Sequence, residues 1–324
     1  MAVQRYIDAI RQGLEEEMSR DSAVYVLGED VTVGGPFGAT KGLVEKFGER
    51  RVVNTPISEG TVVGLATGAA VLGLRPVVEV MFIDFITLAM DQLVNHAAKL
   101  HYMSGGQLRV PLTIRVQGGA VGASGAHHSQ SLEAWFMHVP GLKVAMPSTP
   151  ADAKGMLKAA IRDDNPVLFV EHRGLYWTQG EVPGGDHVVG LGHAAVRRPG
   201  RHITLVALSR MVDVALEAAD QLAREGIELE VIDPRSLVPL DVDTIAKSVR
   251  KTGRALIVHE AVEIGGAGAE LAARIQAAAF DYLEGPIVRM GGPFAPVSSS
   301  PVLEQAFLPS TQRIVETARA MMES

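Results

Sequence analysis

The sequence predicts an α/β protein built from two doubly wound units. Three observations carry that reading. Short apolar runs alternate with helix-period segments up to about residue 170 and again from about residue 203. That alternation indicates mainly parallel sheets covered on both faces. The chain has 324 residues, enough for two domains of ordinary size. Between the two series, residues 174–200 lack clear periodicity and are rich in Gly and Pro, which reads as an interdomain linker with some short strand character.

In the first unit the spacing predicts a helix over 3–18, with Val3, Ile7, Ile10 and Leu14 on one face. Strands are expected at 23–27, 51–53, 77–80, 110–116, 142–145 and 167–170. A helix over 86–102 aligns Leu93, Ala97 and Leu100, and another covers 151–162. In the second unit, strands are expected at 203–208, 229–232, 255–258 and 287–290. Helices near 211–225, 242–250 and 265–282 separate them, and a last helix covers 310–322.

Composition narrows the function classes. Hydrophobic residues make up 47% and charged residues 21%, which fits a globular protein with a large core. The net charge of −7, with no basic tract, argues against nucleic acid or an anionic membrane as partner. The absence of cysteine excludes disulfides, thiolate zinc sites and iron–sulfur clusters on this chain. No apolar run reaches the roughly 18 residues that a membrane span needs. The amphipathic, acidic start MAVQRYIDAIRQGLEEEM lacks the character of a targeting segment, so a cytoplasmic protein is expected.

The chain is organised around residues 54–73, NTPISEGTVVGLATGAAVLG. Pro56 holds the backbone extended and Ser58 is a natural N-cap, which puts Glu59 in the first helical turn. A carboxylate there suits the helix dipole. Gly60, Gly64 and Gly68 form one bare stripe, which costs roughly 1 kcal/mol each relative to alanine. Another backbone is expected close against it.

In an open parallel sheet, ligands bind beyond the carboxyl ends of the strands. Glu29 with its glycine-rich loop, the Glu59 turn, residues 81–85 and the loop bearing His127 and His128 all lie at such ends. The glycine loops match neither GxxxxGK[ST] nor a GxGxxG between strand and helix. The adjacent histidines read as a metal site or as solvated loop residues, and no carboxylate or cysteine spacing supports the metal. No nucleophile elbow for a Ser-His-Asp triad is recognisable.

Together these segments resemble the beta subunit of the thiamine-diphosphate-dependent first component of 2-oxo acid dehydrogenase complexes, of the pyruvate or acetoin dehydrogenase type. The motifs are LGEDV at 27–31, TPISEG at 55–60, GLRPVVEVMFIDF at 73–85 and DQLVNHAAKLHYMSGG at 91–106. AHHSQS at 126–131, PGLKVAMPSTPADAKGMLKAAIRDDNPV at 140–167 and VIDPRSLVPLD at 231–241 extend the match over nearly the whole chain.

The resemblance implies a transketolase-like pyrimidine-binding domain over 1–180, a linker over 181–200 and a transketolase C-terminal domain over 201–324. It implies that Glu59 hydrogen-bonds the pyrimidine ring nitrogen of thiamine diphosphate. Sharing a proton there favours the imino tautomer, whose nitrogen removes the thiazolium proton, and the cofactor then serves as electron sink. Phe85 resembles the residue packed on the pyrimidine ring, with Met81 and Ile57 as apolar neighbours. Glu29 matches an acidic residue near the cofactor. His128, which directly precedes Ser-Gln, is similar to the histidine that assists acyl transfer to the lipoyl group. Leu112, Ala160, Ile161, Asp163 and Asn165 resemble a structural potassium site, whose alternative is an ordinary helix end and turn.

The family's GDG motif, which holds diphosphate and Mg2+, does not occur here. The resemblance therefore implies an alpha subunit in an α2β2 heterotetramer, activity only with that subunit, a subunit contact at the glycine stripe, and docking to a lipoyl-bearing acyltransferase core. The alternatives are a branched-chain 2-oxo acid dehydrogenase subunit, half of a split transketolase-like ketol transferase, and an assembly module without chemistry. The pair Met81 and Phe85 leans toward a small substrate.

Overall fold

The chain opens on a strand, not a helix, in the computed structural model, which describes residues 1–323. Strand β1 (Ala2–Arg5) pairs antiparallel with residues 179–182, so Val3 faces Glu181 and is 65% exposed. The apolar spacing that placed Val3 on a helix face continues back from Ile7 only by coincidence. A backbone partner 178 residues further along the chain decides otherwise. Helix α1 (Tyr6–Arg20) begins after it and buries Ile7, Ile10, Leu14 and Met18.

Contacts divide the chain into two units, Met1–Gly118 with Trp135–Leu191, and Gly119–Ala134 with the residues from Gly192 onward. The loop 119–134 thus departs from the sequential division expected from the sequence.

The first unit contains β2 (Val24–Gly28), β3 (Val52–Asn54), β4 (Arg75–Val80), β5 (Thr113–Gly118), β6 (Lys143–Ala145), β7 (Val167–His172) and β8 (Gln179–Val182). Six of these lie side by side in the order β6-β7-β5-β4-β2-β3, all parallel. The helices are α2 (Leu43–Phe47), α3 (Glu59–Val71), α4 (Leu100–Met103) and α6 (Pro150–Arg162), and α5 (Glu133–Met137) spans the division at Ala134. One cluster joins Val24, Val26 and Val77 of the sheet to Leu14 of α1 and Met156, Leu157 and Ile161 of α6. From β2 the chain steps outward to β3, then returns through α3 to β4 on the other side of β2. That reversal opens a crevice at the carboxyl ends of these strands.

The helix expected over 86–102 is broken. Phe85–Ala89 is a 3-10 turn, Asp91–Ala97 is π-helical and α4 is separate. Leu93 and Ala97 are buried, while Leu100 is only half-buried. Apolar spacing does not distinguish these helix types, whose residues per turn differ by about one. The segment lies against the glycine stripe of α3. A Cβ on Gly60 would stand 3.2 Å from the Leu88 carbonyl, and one on Gly64 3.1 Å from Gln92 Oε1. Nothing lies within 4 Å of Gly68. The backbone expected close against the stripe is, at Gly60, this chain's own Leu88 carbonyl, and at Gly64 the Gln92 side chain lies equally near.

The second unit contains β9 (Ala195–Arg198), β10 (Ile203–Ala207), β11 (Leu229–Asp233), β12 (Ser236–Val238), β13 (Ala255–Val262) and β14 (Val288–Gly292). Its five-stranded sheet runs β14-β13-β10-β11-β9, with only β9 antiparallel. Helices α7 (Met211–Ala223), α8 (Val242–Thr252), α9 (Ala267–Ala279), α10 (Pro301–Phe307) and α11 (Thr311–Glu323) complete it. The crossover through α7 runs opposite to those through α8 and α9. Right-handed connections therefore put α7 on one face and α8 with α9 on the other. Among the described residues no helix is long and apolar enough to cross a membrane.

Candidate active site

Three neighbouring strands of the first unit deliver the predicted residues. Glu29 follows β2, Glu59 opens α3 just beyond β3, and Met81 follows β4. The Thr55 amide donates to the Gly28 carbonyl at 3.0 Å, which ties the Glu59 turn to the end of β2. Gly28 allows β2 and β4 to meet, because a Cβ there would lie 2.5 Å from the Glu79 carbonyl oxygen.

Glu59 is 9% exposed, and its carboxylate makes no hydrogen bond among the described residues. Ser58 occupies the N-cap position, but its hydroxyl bonds Thr61 Oγ1 at 2.8 Å instead of capping the helix backbone. Glu29 is half-buried. Burial first, then the charges of Glu59 and Asp30, push its carboxyl above the ordinary range. The fold thus pairs the two acidic residues electrostatically. Met81 and Phe85 are half-buried just beyond the carboxyl end of β4. Phe85 stands edge-on to Phe82 at 5.6 Å, and the Arg173 guanidinium lies 5.3 Å above the Phe82 ring. Ile57 is 80% exposed, on the same turn as Glu59.

Under this crevice lies a charged cluster that the sequence reading missed. Arg115 donates to both oxygens of Glu171 at 2.6 and 2.9 Å and to Glu79 at 2.6 Å, and Tyr176 donates to Glu171 at 2.7 Å. All four side chains are buried. A signal existed, since VVEV, TIRV and LFVEH each put one charge inside an apolar run. Only the register, with Glu79 opposite Arg115, turns those charges into a cluster.

The residues resembling a potassium site gather at the opposite, amino ends of β5 and β7. Arg75 donates to the carbonyls of Ile161 and Asp163 at 3.0 and 3.2 Å, and the Val167 amide to that of Leu112 at 2.8 Å. Asp163 accepts from Lys143 and from the Asn165 amide groups. Burial raises its carboxyl, but these partners outweigh that and hold it below the ordinary range.

His127 and His128 lie in the second unit. His127 is exposed, while His128 is half-buried and its amide donates to the Gly125 carbonyl at 3.3 Å. The residues that follow line a mainly apolar cavity of about 400 Å³, whose walls include Ser129, Leu132, Glu260, Val262, Phe294 and Phe307. Among the described residues no group of three or more His, Cys, Asp or Glu could hold a metal ion. Beside the cavity lining, Glu133 is buried. Burial, with a smaller push from Glu260, raises its carboxyl to about 7. Because the folded form binds this proton more tightly, the stabilisation is full below about pH 4.5 and is lost as pH rises through 7. It amounts to about 3 kcal/mol at most. Glu133→Gln is expected to flatten the pH dependence of unfolding between pH 5 and 8. An unchanged slope in denaturant titrations would contradict this.

Three relatives decide the family. The chain is 44% identical to the acetoin:2,6-dichlorophenolindophenol oxidoreductase subunit beta of Cupriavidus necator, covering 97% of this chain and 96% of the relative. It is 44% identical to the pyruvate dehydrogenase E1 component subunit beta of Rhizobium meliloti (99% and 70%) and to the 2-oxoisovalerate dehydrogenase subunit beta of Bacillus subtilis (100% and 100%). The chain belongs to this family of dehydrogenase beta subunits. Residues 3–178 of this beta-subunit chain match the transketolase pyrimidine binding domain and residues 192–314 the transketolase C-terminal domain. Its fold is also that of a split-gene transketolase in an inactive beta4 tetramer, with a TM-score of 0.78 at 23% identity over 97% of both chains. Transketolase from Leishmania mexicana gives a TM-score of 0.73 at 19% identity, over 99% of this chain and 46% of that one.

Proposed function

We propose that this chain is the beta half of a thiamine-diphosphate-dependent dehydrogenase. The complex decarboxylates a 2-oxo acid of the pyruvate type, or cleaves acetoin, and passes the acyl group to a lipoyl acceptor. The observation that carries the reading is a nearly buried carboxylate, Glu59, left without a hydrogen-bond partner beside a second acid, Glu29.

These residues fit the pyrimidine half of the cofactor, with an unused acceptor, an aromatic ring at Phe85 and a thioether at Met81. They do not supply the diphosphate half, because GDG is absent from the sequence. An alpha subunit would hold diphosphate and Mg2+, in an α2β2 assembly served by an acyltransferase core. When bound, thiamine diphosphate supplies the nucleophilic carbon and the electron sink. Glu59 then holds a proton at the pyrimidine ring nitrogen. Ile57, exposed in the isolated chain, would join the ring's apolar surroundings in the assembly. The carbonyls of Leu112, Ala160 and Ile161 suit a monovalent cation such as K+, with Asp163 and Asn165 beside them.

The test is reconstitution with a candidate alpha subunit that carries the GDG motif, assaying pyruvate, branched 2-oxo acids and acetoin side by side. Turnover that needs both chains and thiamine diphosphate supports the reading. Absence of turnover on all three substrates by a properly assembled complex overturns it. His128 is assigned to proton transfer during lipoyl acylation. His128→Ala is therefore expected to lower lipoyl acylation about 10²-fold, and to lower decarboxylation with an artificial electron acceptor much less. Equal losses in the two assays would refute the assignment.

A further inference from the structure

We propose that Glu260 and Glu304 are positioning residues that set the loop carrying His128. The proposal rests on the acyl-transfer reading of that histidine. The loop closes on itself where the Gly119 amide donates to the Gln130 carbonyl at 3.0 Å. Inside that closure, two peptides are gripped from elsewhere in the second unit. The Ala120 amide donates to Glu260 Oε2 at 3.1 Å, and the Ala120 carbonyl accepts from Arg210 Nη1 at 3.3 Å. Arg210 Nη1 is itself 3.8 Å from Glu260 Oε1, so both polar groups of residue 120 are held by one ion pair. Three residues on, the Ala123 amide donates to Glu304 Oε2 at 2.9 Å.

Both carboxylates are 7% exposed. Burying two acids is costly unless they are used, and here each accepts a charge-assisted hydrogen bond from a loop amide. Ala123 has a φ of 52°, a left-handed conformation that a non-glycine residue keeps only when its surroundings impose it. The Glu304 bond falls on that residue. Two residues further, the Gly125 carbonyl accepts from the His128 amide, so the imposed turn leads directly to the histidine. The grip on Ala120 and Ala123 therefore decides where the His128 ring stands.

The experiment compares Glu304→Ala, Glu304→Gln and His128→Ala in the reconstituted complex. Glu304→Ala is expected to lower lipoyl acylation about ten- to a hundred-fold more than dye-linked decarboxylation. Glu304→Gln, whose amide oxygen still accepts from Ala123, recovers most of that loss. Amide exchange over 119–130 rises in the alanine variant while β13 stays protected. Should Glu304→Ala fail to assemble, Arg210→Met at a more exposed position makes the same comparison. A split for His128→Ala with equal losses in both assays for Glu304→Ala overturns the proposal, as does unchanged exchange over 119–130. No split for His128→Ala sinks the assignment of the histidine instead, and the exchange data still decide whether the carboxylates hold the loop.

Discussion

Replacing Glu59 with alanine is expected to abolish most turnover of the reconstituted enzyme while leaving the fold intact. The loss should be about 10²–10⁴-fold in kcat, the range for a positioned proton-transfer group. Stability should change little, because the carboxylate has no hydrogen-bond partner to orphan. Only its interaction with the α3 N-terminus goes, worth about 0.3–1 kcal/mol. Glu59→Gln should fail nearly as badly, since an amide keeps the shape but cannot share the proton. The neighbour gives a second readout. Glu59 is among the charges that raise the Glu29 carboxyl, so Glu29 should titrate closer to its ordinary value in either variant. Near wild-type turnover in Glu59→Ala, with thiamine diphosphate present and the complex assembled, would remove this carboxylate from the mechanism.

The largest effect on stability is expected at Arg115. Arg115→Met keeps much of the side-chain volume but leaves Glu79 and Glu171 buried without their shared cation. Removing one partner of a buried ion pair costs about 3–5 kcal/mol. The pH dependence follows from the carboxylates. Burial already raises Glu79 above the ordinary range, against the pull of Arg115. A folded form that binds a proton more tightly than the unfolded form is most stable at low pH and loses that advantage as pH rises. Without the arginine the Glu79 carboxyl rises further, so the deficit of Arg115→Met should be smaller at pH 5 than at pH 8. Denaturant unfolding of wild type and variant at both pH values measures this. A deficit that stays constant or grows on acidification would mean that the carboxylates are not what the variant exposes.

Much of the framework was legible in residue order. The strands around Val26, Val78, Ile114 and Leu168 are apolar enough to be read as buried, and Thr149-Pro150 announces the start of α6, where the threonine hydroxyl does accept from the Asp152 amide. The short pieces escaped. β1 exists only because residues 179–182 reach it, and α10 is too short to display a helical period. The break of 86–102 into 3-10, π and α segments left no trace in the apolar spacing.

The sequence by itself determined the family, the alternation of strands and helices, and which residues stand at strand ends: Glu29, Glu59, Met81 and Phe85. Periodicity and motif spacing are local properties, carried in the order of side chains. Tertiary structure alone decided which charges meet. It set Glu29 against Glu59, gathered Arg115, Glu79, Glu171 and Tyr176 into one buried cluster, and brought Glu260 and Glu304 to the amides of Ala120 and Ala123. Those contacts depend on strand register and crossover direction, which pack together residues up to 181 positions apart in the chain.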